Sequence, residues 1–287
     1  MKIHEVKNLH PCFNRGSNKA RMHLPVSPAC NILCKFCNRQ VGDGTEAIRP
    51  GVARDLVRPE DAPGYVENAL ALCPEISVVG IAGPGDTLAT DHAFRAFSAI
   101  RGRFPNLIHC MSTNGLLLPE KINGVIDAGV STLTVTINAV DPDILAKING
   151  GIYYHGEYFD GAEGGLILIR NQLEGVKLAA EAGLIVKINT VLIPGINGNH
   201  IEAVARQAGK RGAAIFNIIP LIPQHLLSGE KEPNCGEIDL ARSAAEKHIP
   251  VFRHCQHCRA DAVGFLGGAD FGSKIYQNRV EDTFSHG

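Results

Sequence analysis

The 287-residue chain is long enough to bury one large core or two modest ones, and its 45% hydrophobic and 20% charged residues are an ordinary globular balance. A net charge of −1 leaves no basic surplus, which argues against a nucleic-acid partner. The opening "MKIHEVKNLH" lacks the apolar region of a secretory signal, and runs such as "VSTLTVTINAV" are too short and too polar to span a bilayer, so a soluble cytoplasmic protein with no membrane partner is expected.

In chain order the first predicted strand is "ARMHLPV" (20–26). A helix follows over 59–73, then strand "EISVVGIAG" (75–83), a helix over 89–104, strand "LIHCMST" (107–113) and a helix over 118–129. Next come strand "TLTVTIN" (132–138), a helix over 165–183, strand "LIVKINTVLI" (184–193), a helix over 199–212 and strand "AAIFNIIPLI" (213–222). Alternation of this kind predicts right-handed parallel βα units in an α/β fold. The near-continuous β-branched runs suit strands covered on both faces. An open, partial (β/α)6 barrel fits best and a doubly wound sheet is the alternative; in both, chemistry sits at the C-terminal ends of the strands. The segment "GGIYYHGEYFDGAEGG" (150–165) interrupts the rhythm and is expected to be a long mobile loop over that face.

Nine cysteines are too sparse for a disulfide scaffold, and five of them fall in two tight groups, as metal or redox sites do. Directly after the first strand, "SPACNILCKFCNRQ" carries Cys30, Cys34 and Cys37. Cysteines normally ligate all four irons of a [4Fe–4S] cube, so three thiolates leave one iron open for a substrate or cofactor. Phe36, before the last cysteine, can shield such a cluster. Zinc is the other reading, but it needs a fourth ligand and more often takes paired Cys-x-x-Cys groups.

This spacing, after the first strand of a βα barrel, resembles that of the radical S-adenosylmethionine (SAM) enzymes. The resemblance implies that the open iron chelates SAM, whose reductive cleavage yields a 5′-deoxyadenosyl radical. It also implies SAM contacts from Gly83, Gly85 and Asp86 in "GIAGPGD", Thr113 in "STNG", Asn138 in "TINAV", and Asn189 and Val191 in "INTVLIPG". A glycine-rich turn suits any βα loop, and buried amides need hydrogen bonds in any fold, so each residue alone also has a structural reading.

Three longer stretches narrow the resemblance: "RMHLPVSPACNILCKFCNR", "NQLEGVKLAAEAGLIVKINTVLIPGIN" and "HCQHCRADAVG". Together they resemble the NifB family, which makes the precursor of the nitrogenase cofactor, over about residues 12–264. The resemblance implies a partial radical SAM barrel with N- and C-terminal extensions that carry extra cluster ligands. It implies an enzyme that fuses two [4Fe–4S] clusters around one SAM-derived carbon into an eight-iron product. One SAM gives its methyl group to a cluster sulfide, and a second supplies the hydrogen-abstracting radical.

By the same resemblance Cys12, His23 and Cys110 hold one substrate cluster, and Cys255 and Cys258 hold part of the other, making three clusters in all. A strand cysteine is otherwise usually a small apolar residue, and a strand histidine a hydrogen-bonded core residue. Cys73 reads as packing and Cys235 as an exposed residue of a polar loop. His254 and His257 read as loop histidines, with a role as ligands or proton carriers as the alternative. Arg259 and Asp261 are expected to anchor their segment by an ion pair, with a weak surface pair as the alternative.

The loop "NRQVGDGTEAIRPGV" lacks a cysteine expected in this family. Its Glu46 stands where a carboxylate can help remove protons during carbon insertion; capping a turn is the other reading. The C-terminal carrier-like domain of longer relatives is also missing, which implies one catalytic domain over 1–287, with its core about 20–225 and a cluster-ligand segment about 250–268. Implied partners are an iron–sulfur cluster donor, an electron donor and a separate downstream carrier. Two other classes stay open: a radical SAM enzyme with a spectator cluster and an organic substrate, and a zinc-stabilised binding module.

Overall fold

A computed structural model describes residues 3–14, 17–38, 40–41, 52–253 and 259–277. Its first half contains α1 (Ile3–Leu9), β1 (Ala20–His23), β2 (Ile32–Cys34), β3 (Gln40–Val41), β4 (Val52–Ala53), α2 (Ala62–Leu72), β5 (Ile76–Ile81), α3 (His92–Arg103), β6 (Ile108–Thr113), α4 (Leu118–Asp127) and β7 (Val130–Thr136). Then come α5 (Pro142–Ile148), β8 (Asn149–Tyr154), β9 (Glu157–Phe159), α6 (Gly161–Glu181), β10 (Ile185–Leu192), α7 (Pro194–Asn197), α8 (Ile201–Lys210) and β11 (Ile215–Pro220). The chain continues through α9 (Cys235–Glu246), β12 (Val251–Phe252), β13 (Val263–Gly264) and α10 (Gly272–Ile275).

The principal sheet runs β12-β11-β10-β7-β6-β5-β1-β13. From β1 to β12 every neighbouring pair is parallel, and the strands follow chain order in one direction. A doubly wound sheet reverses strand order at a switch point. Without a reversal, crossovers of one hand place every connecting helix on the same face. The sheet therefore curls into an open half-barrel with helices outside and a lumen inside. At the other edge β13 pairs antiparallel with β1, Met22 opposite Val263.

Strand alternation sorts side chains between the two faces. In β7, Leu133 and Val135 are fully buried in the helix-side core, with Met22, Val79, Ile81, Met111 and Phe216 from other strands. The intervening Thr132, Thr134 and Thr136 face the lumen side. One face of the sheet is thus apolar and the other largely polar, a division the near-continuous apolar runs did not reveal. α8 supplies the matching helix stripe, burying Ile201, Val204, Ala205 and Ala208. At the N-terminal end of the strands, Val6 and Phe13 pack with Ile185, Ile215 and Phe252 and plug the barrel floor.

Two sequence expectations need correction. Residues 150–165 are not a long loop: β8 and β9 form a hairpin, Tyr154 opposite Glu157, and β8 also pairs with β2. His155 and Gly156 take positive φ at its two-residue turn, and the "YY…EYF" flanks are strand formers. Nor is Cys235 in a loop. It opens α9, exposed, behind an Asn234–Glu237 capping box.

Candidate active site

The loop after β1 is fastened from several sides. Gly85 N–H donates to Ser27 C=O and Asp86 N–H to Ala29 C=O, both at 2.8 Å. An added Cβ at Gly85 would stand 2.1 Å from the Ala29 oxygen, so this backbone approach requires glycine. Lys35 N–H donates to Ile148 C=O at 2.9 Å, and Gln224 Nε2 donates to Phe36 C=O at 2.7 Å. Phe36 packs against Ile148, Val191, Ile193, Leu221 and Leu227.

These restraints turn Cys30, Cys34 and Cys37 into one cavity of about 170 Å³ at the C-terminal ends of β5, β6 and β7. Phe36, Gly85, Asp86, Thr113 and Asn138 also line it. Gly83, Asn189 and Val191 do not line it. Gly83 takes φ 142° beside Ala260, Asn189 Oδ1 accepts from Asn217 Nδ2 at 2.9 Å, and Val191 N–H donates to Asn138 Oδ1 at 2.9 Å.

Asp86 organises the rim. Its carboxylate accepts from Leu88 N–H at 3.0 Å, from the Thr113 hydroxyl at 3.0–3.1 Å and from Asn114 N–H at 2.6 Å. Sequence reasoning missed Asn114, Asn149 and Gln172 among the polar residues here. Asn114 Nδ2 reaches Asn31 Oδ1 at 2.7 Å and lies 3.9 Å from the Cys30 sulfur. Asn149 Oδ1 and Gln172 Oε1 are buried acceptors without a partner in residues that line the cavity. The available signal was the polar pair Asn171-Gln172 on the buried face of α6.

The donor set fits a cube with one open iron. Among the described residues the cavity lining contains three cysteines and no histidine, and the described cysteines form no disulfide. Among the described residues no three His, Cys, Asp or Glu side chains gather around a single-ion site. A cube instead takes each thiolate on its own iron. The orphan amide oxygens suit the amino and hydroxyl donors of SAM.

A second group lies deeper in the lumen. His23 is in register with Gly80, and Gly80 with Cys110, so the three form one row across β1, β5 and β6. Gly80 leaves room for the imidazole; a Cβ there would stand 2.9 Å from His23 Cδ2. His23 Nδ1 is 3.0 Å from the Arg259 carbonyl oxygen, to which it donates, leaving the Nε2 lone pair for a metal. Burial, then Arg21, lowers its pKa to about 4, so the ring is neutral near pH 7. Burial pushes the Cys110 thiol up, opposed by Thr132 and Lys187. Cys12 lies at the barrel floor, beside the Val6–Phe13 plug.

Arg259 is itself fixed. Its Nε and Nη2 donate to Asp261 at 2.6 and 2.9 Å, and Asp261 also accepts from Arg54 N–H at 2.7 Å. Asp261 is fully buried and Arg259 nearly so, and the expected anchor is therefore a core ion pair rather than a surface one. Glu46, His254, Cys255, His257 and Cys258 lie outside the described residues.

Residues 24–208 match the model of the Radical SAM superfamily. The chain is 48% identical over 267 residues to the FeMo cofactor biosynthesis protein NifB of Methanocaldococcus jannaschii, covering 92% of this chain and 89% of that protein. The protein of the same name from Methanocaldococcus infernus is 46% identical over 283 residues, covering 98% and 93%.

This chain belongs to the NifB family.

The Klebsiella pneumoniae NifB is 46% identical over 267 residues, and the match spans 90% of this chain but 57% of that protein. Among solved structures, Streptococcus suis SuiB bound to S-adenosylmethionine superposes with a TM-score of 0.56 at 14% identity, over 84% of this chain and 51% of SuiB. Methylornithine synthase PylB gives 0.50 at 14%, over 82% and 65%. At these identities the likeness concerns the fold, and both share the open half-barrel with this NifB-family chain. No helix among its described residues is long and apolar enough to cross a membrane.

Proposed function

We propose that this chain is a radical SAM enzyme of nitrogenase cofactor biosynthesis that fuses two [4Fe–4S] substrate clusters and inserts one SAM-derived carbon to form an eight-iron precursor. The observation that carries this reading is the His23–Gly80–Cys110 row. It places a soft thiol and a neutral imidazole with a free Nε2 in the barrel that carries the three-cysteine rim. Thiolate and imidazole are donors that an iron–sulfur substrate can take as ligands.

Cys30, Cys34 and Cys37 would hold the resident cluster, which with SAM bound supplies the electron and the hydrogen-abstracting radical. Asn149 and Gln172 offer acceptors to SAM, while Gly85, Asp86 and Thr113 keep the cysteine loop against the strand ends. Phe36 and its apolar neighbours exclude water from one side of the thiols. Cys12, His23 and Cys110 take one substrate cluster, and Cys255 with Cys258 part of the second. A site of fewer than four thiolates suits a substrate that must rearrange and leave. Glu46 is assigned to proton removal during carbon insertion. The work needs an iron–sulfur cluster donor, an electron donor and a downstream carrier, all proposed as separate cytoplasmic partners.

The test is product analysis on anaerobically loaded protein given SAM and a reductant. Both S-adenosylhomocysteine and 5′-deoxyadenosine are expected. Replacing Cys30, Cys34 and Cys37 with Ala should abolish both products and leave iron at the other ligand sets. A variant that still made 5′-deoxyadenosine at the parent rate would overturn the rim assignment.

A further inference from the structure

Buried His10 and half-buried His23 lie within electrostatic reach of each other, and their hydrogen bonds fix opposite tautomers. His23 donates from Nδ1 to the Arg259 carbonyl, which frees Nε2 as a lone pair. His10, just after α1, does the reverse. Its Nδ1 accepts the backbone N–H of Cys12 at 3.2 Å, so its proton is on Nε2. A metal at Nε2 would require the proton at Nδ1, facing the Cys12 N–H donor to donor.

That Nε2–H is buried without a partner, in a residue only 1% exposed. A buried donor left without an acceptor is costly, so an orphan of this kind points to an acceptor. His10 lies within electrostatic reach of Lys187, Arg21 and His23. Lys187 is itself buried in the lumen, its ammonium 5.4 Å from the centre of the Phe13 ring. The orphan N–H, two residues from Cys12 and in the field of two positive side chains, suits an anionic acceptor. Phe13 stacks edge-on against His10 at 4.9 Å and holds the ring in place.

We infer that His10 is a substrate-binding residue that donates an Nε2–H···S hydrogen bond to a sulfide of the cluster held by Cys12, His23 and Cys110. This rests on the assignment of those three residues to a substrate cluster. The hydrogen bond does not anchor the cluster. It raises the reduction potential, because hydrogen bonds to cluster sulfur favour the more negative, reduced state. The carrier of the signal is short and local: a histidine, one residue's spacing, and a cysteine whose amide selects the tautomer.

The experiment compares the loaded parent with three variants, Cys12→Ala/Cys110→Ala, His10→Leu and His10→Gln, by iron content, EPR-monitored redox titration and ¹⁴N pulsed EPR. The double-cysteine variant should lose one cluster's share of iron and one EPR component, which identifies the lumen signal. His10→Leu should keep that iron and the nitrogen coupling of His23. At a fixed potential near the midpoint its oxidised-to-reduced ratio should rise about tenfold, equivalent to about 59 mV for one electron. His10→Gln, which retains an N–H donor, should recover part of the shift. An unchanged midpoint in His10→Leu would overturn the hydrogen bond, and loss of the nitrogen coupling would make His10 a ligand instead. If the double-cysteine variant kept all its iron and EPR components, the lumen assignment itself would fall.

Discussion

The rim and the lumen are built in different ways. The rim takes its three thiols from one eight-residue stretch and holds them by backbone bonds between that loop and the strand ends, Ser27 with Gly85 and Ala29 with Asp86. The lumen takes one residue from each of several distant segments and aligns them by sheet register, His23 with Gly80 and Gly80 with Cys110. A local loop can be read as a motif. A row across three parallel strands exists only once the sheet has formed. The chemistry differs accordingly: the rim offers like thiols, whereas the lumen mixes thiol, imidazole and buried cations.

The largest expected break of this pairing is at the second cysteine pair. Replacing Cys255 and Cys258 with Ala should remove nearly all S-adenosylhomocysteine formation while SAM still alters the EPR of the rim. Orienting reactants can account for about 7–11 kcal/mol of a bimolecular barrier, and a misplaced acceptor loses most of that. A normal yield of S-adenosylhomocysteine would show that this pair holds no substrate.

Next in size is Asp261→Ala. Removing one partner of a buried ion pair costs roughly 3–5 kcal/mol, which should appear as a clear fall in urea midpoint. Arg259 orients His23, so the lumen should lose iron before the rim does. Equal loss from both sites would remove the special link between Asp261 and the lumen.

Two glycine substitutions separate the regions with smaller effects. Gly85→Ala drives a methyl into the Ala29 carbonyl and should weaken SAM binding while lumen iron persists. Gly80→Ala drives one into the His23 ring and should do the opposite. Overpacking of this kind costs about 1–3 kcal/mol. Titrating SAM into each variant and counting iron gives the comparison, and identical phenotypes would contradict it.

The smallest effect is on pH. His200 Nε2 accepts the Val140 N–H at 3.1 Å, and burial lowers its pKa, partly opposed by Asp141. The unfolded chain therefore takes up a proton at this residue before the folded chain does, and stability falls as pH drops through the ordinary imidazole range. His200→Gln should flatten that part of the stability profile measured by urea melts between pH 7 and 5. An unchanged slope would remove His200 from the account.

Much of the barrel was legible because alternating strands and helices carry their own periodicity. The cysteine loop was legible because its ligands are local. The β8–β9 hairpin was not, since glycines and tyrosines suit a loop as well as a strand until β2 supplies a pairing edge. In "LIHCMST", His109 and Cys110 are neighbours, yet His109 faces the core, stacked on Phe97 at 4.5 Å, and Cys110 faces the lumen. Choosing between them from sequence requires knowing which face curls inward. Asn149 and Gln172 were hidden for a related reason. Buried polar residues on a helix or strand start read as scaffold until the cavity they line is known. The burial of Arg259 with Asp261 likewise depends on Arg54, distant in sequence and contributed by a different segment.

Whether the SAM methyl carbon ends inside an iron–sulfur product, as proposed, is decided by one labelling experiment. Anaerobically loaded protein is incubated with [methyl-¹³C]SAM and a reductant, and the iron–sulfur product is separated and examined for ¹³C hyperfine coupling. The expected result is ¹³C coupled to the iron of the product, with both S-adenosylhomocysteine and 5′-deoxyadenosine released. Formation of 5′-deoxyadenosine with no ¹³C in the cluster would contradict it and favour a radical SAM enzyme acting on an organic substrate.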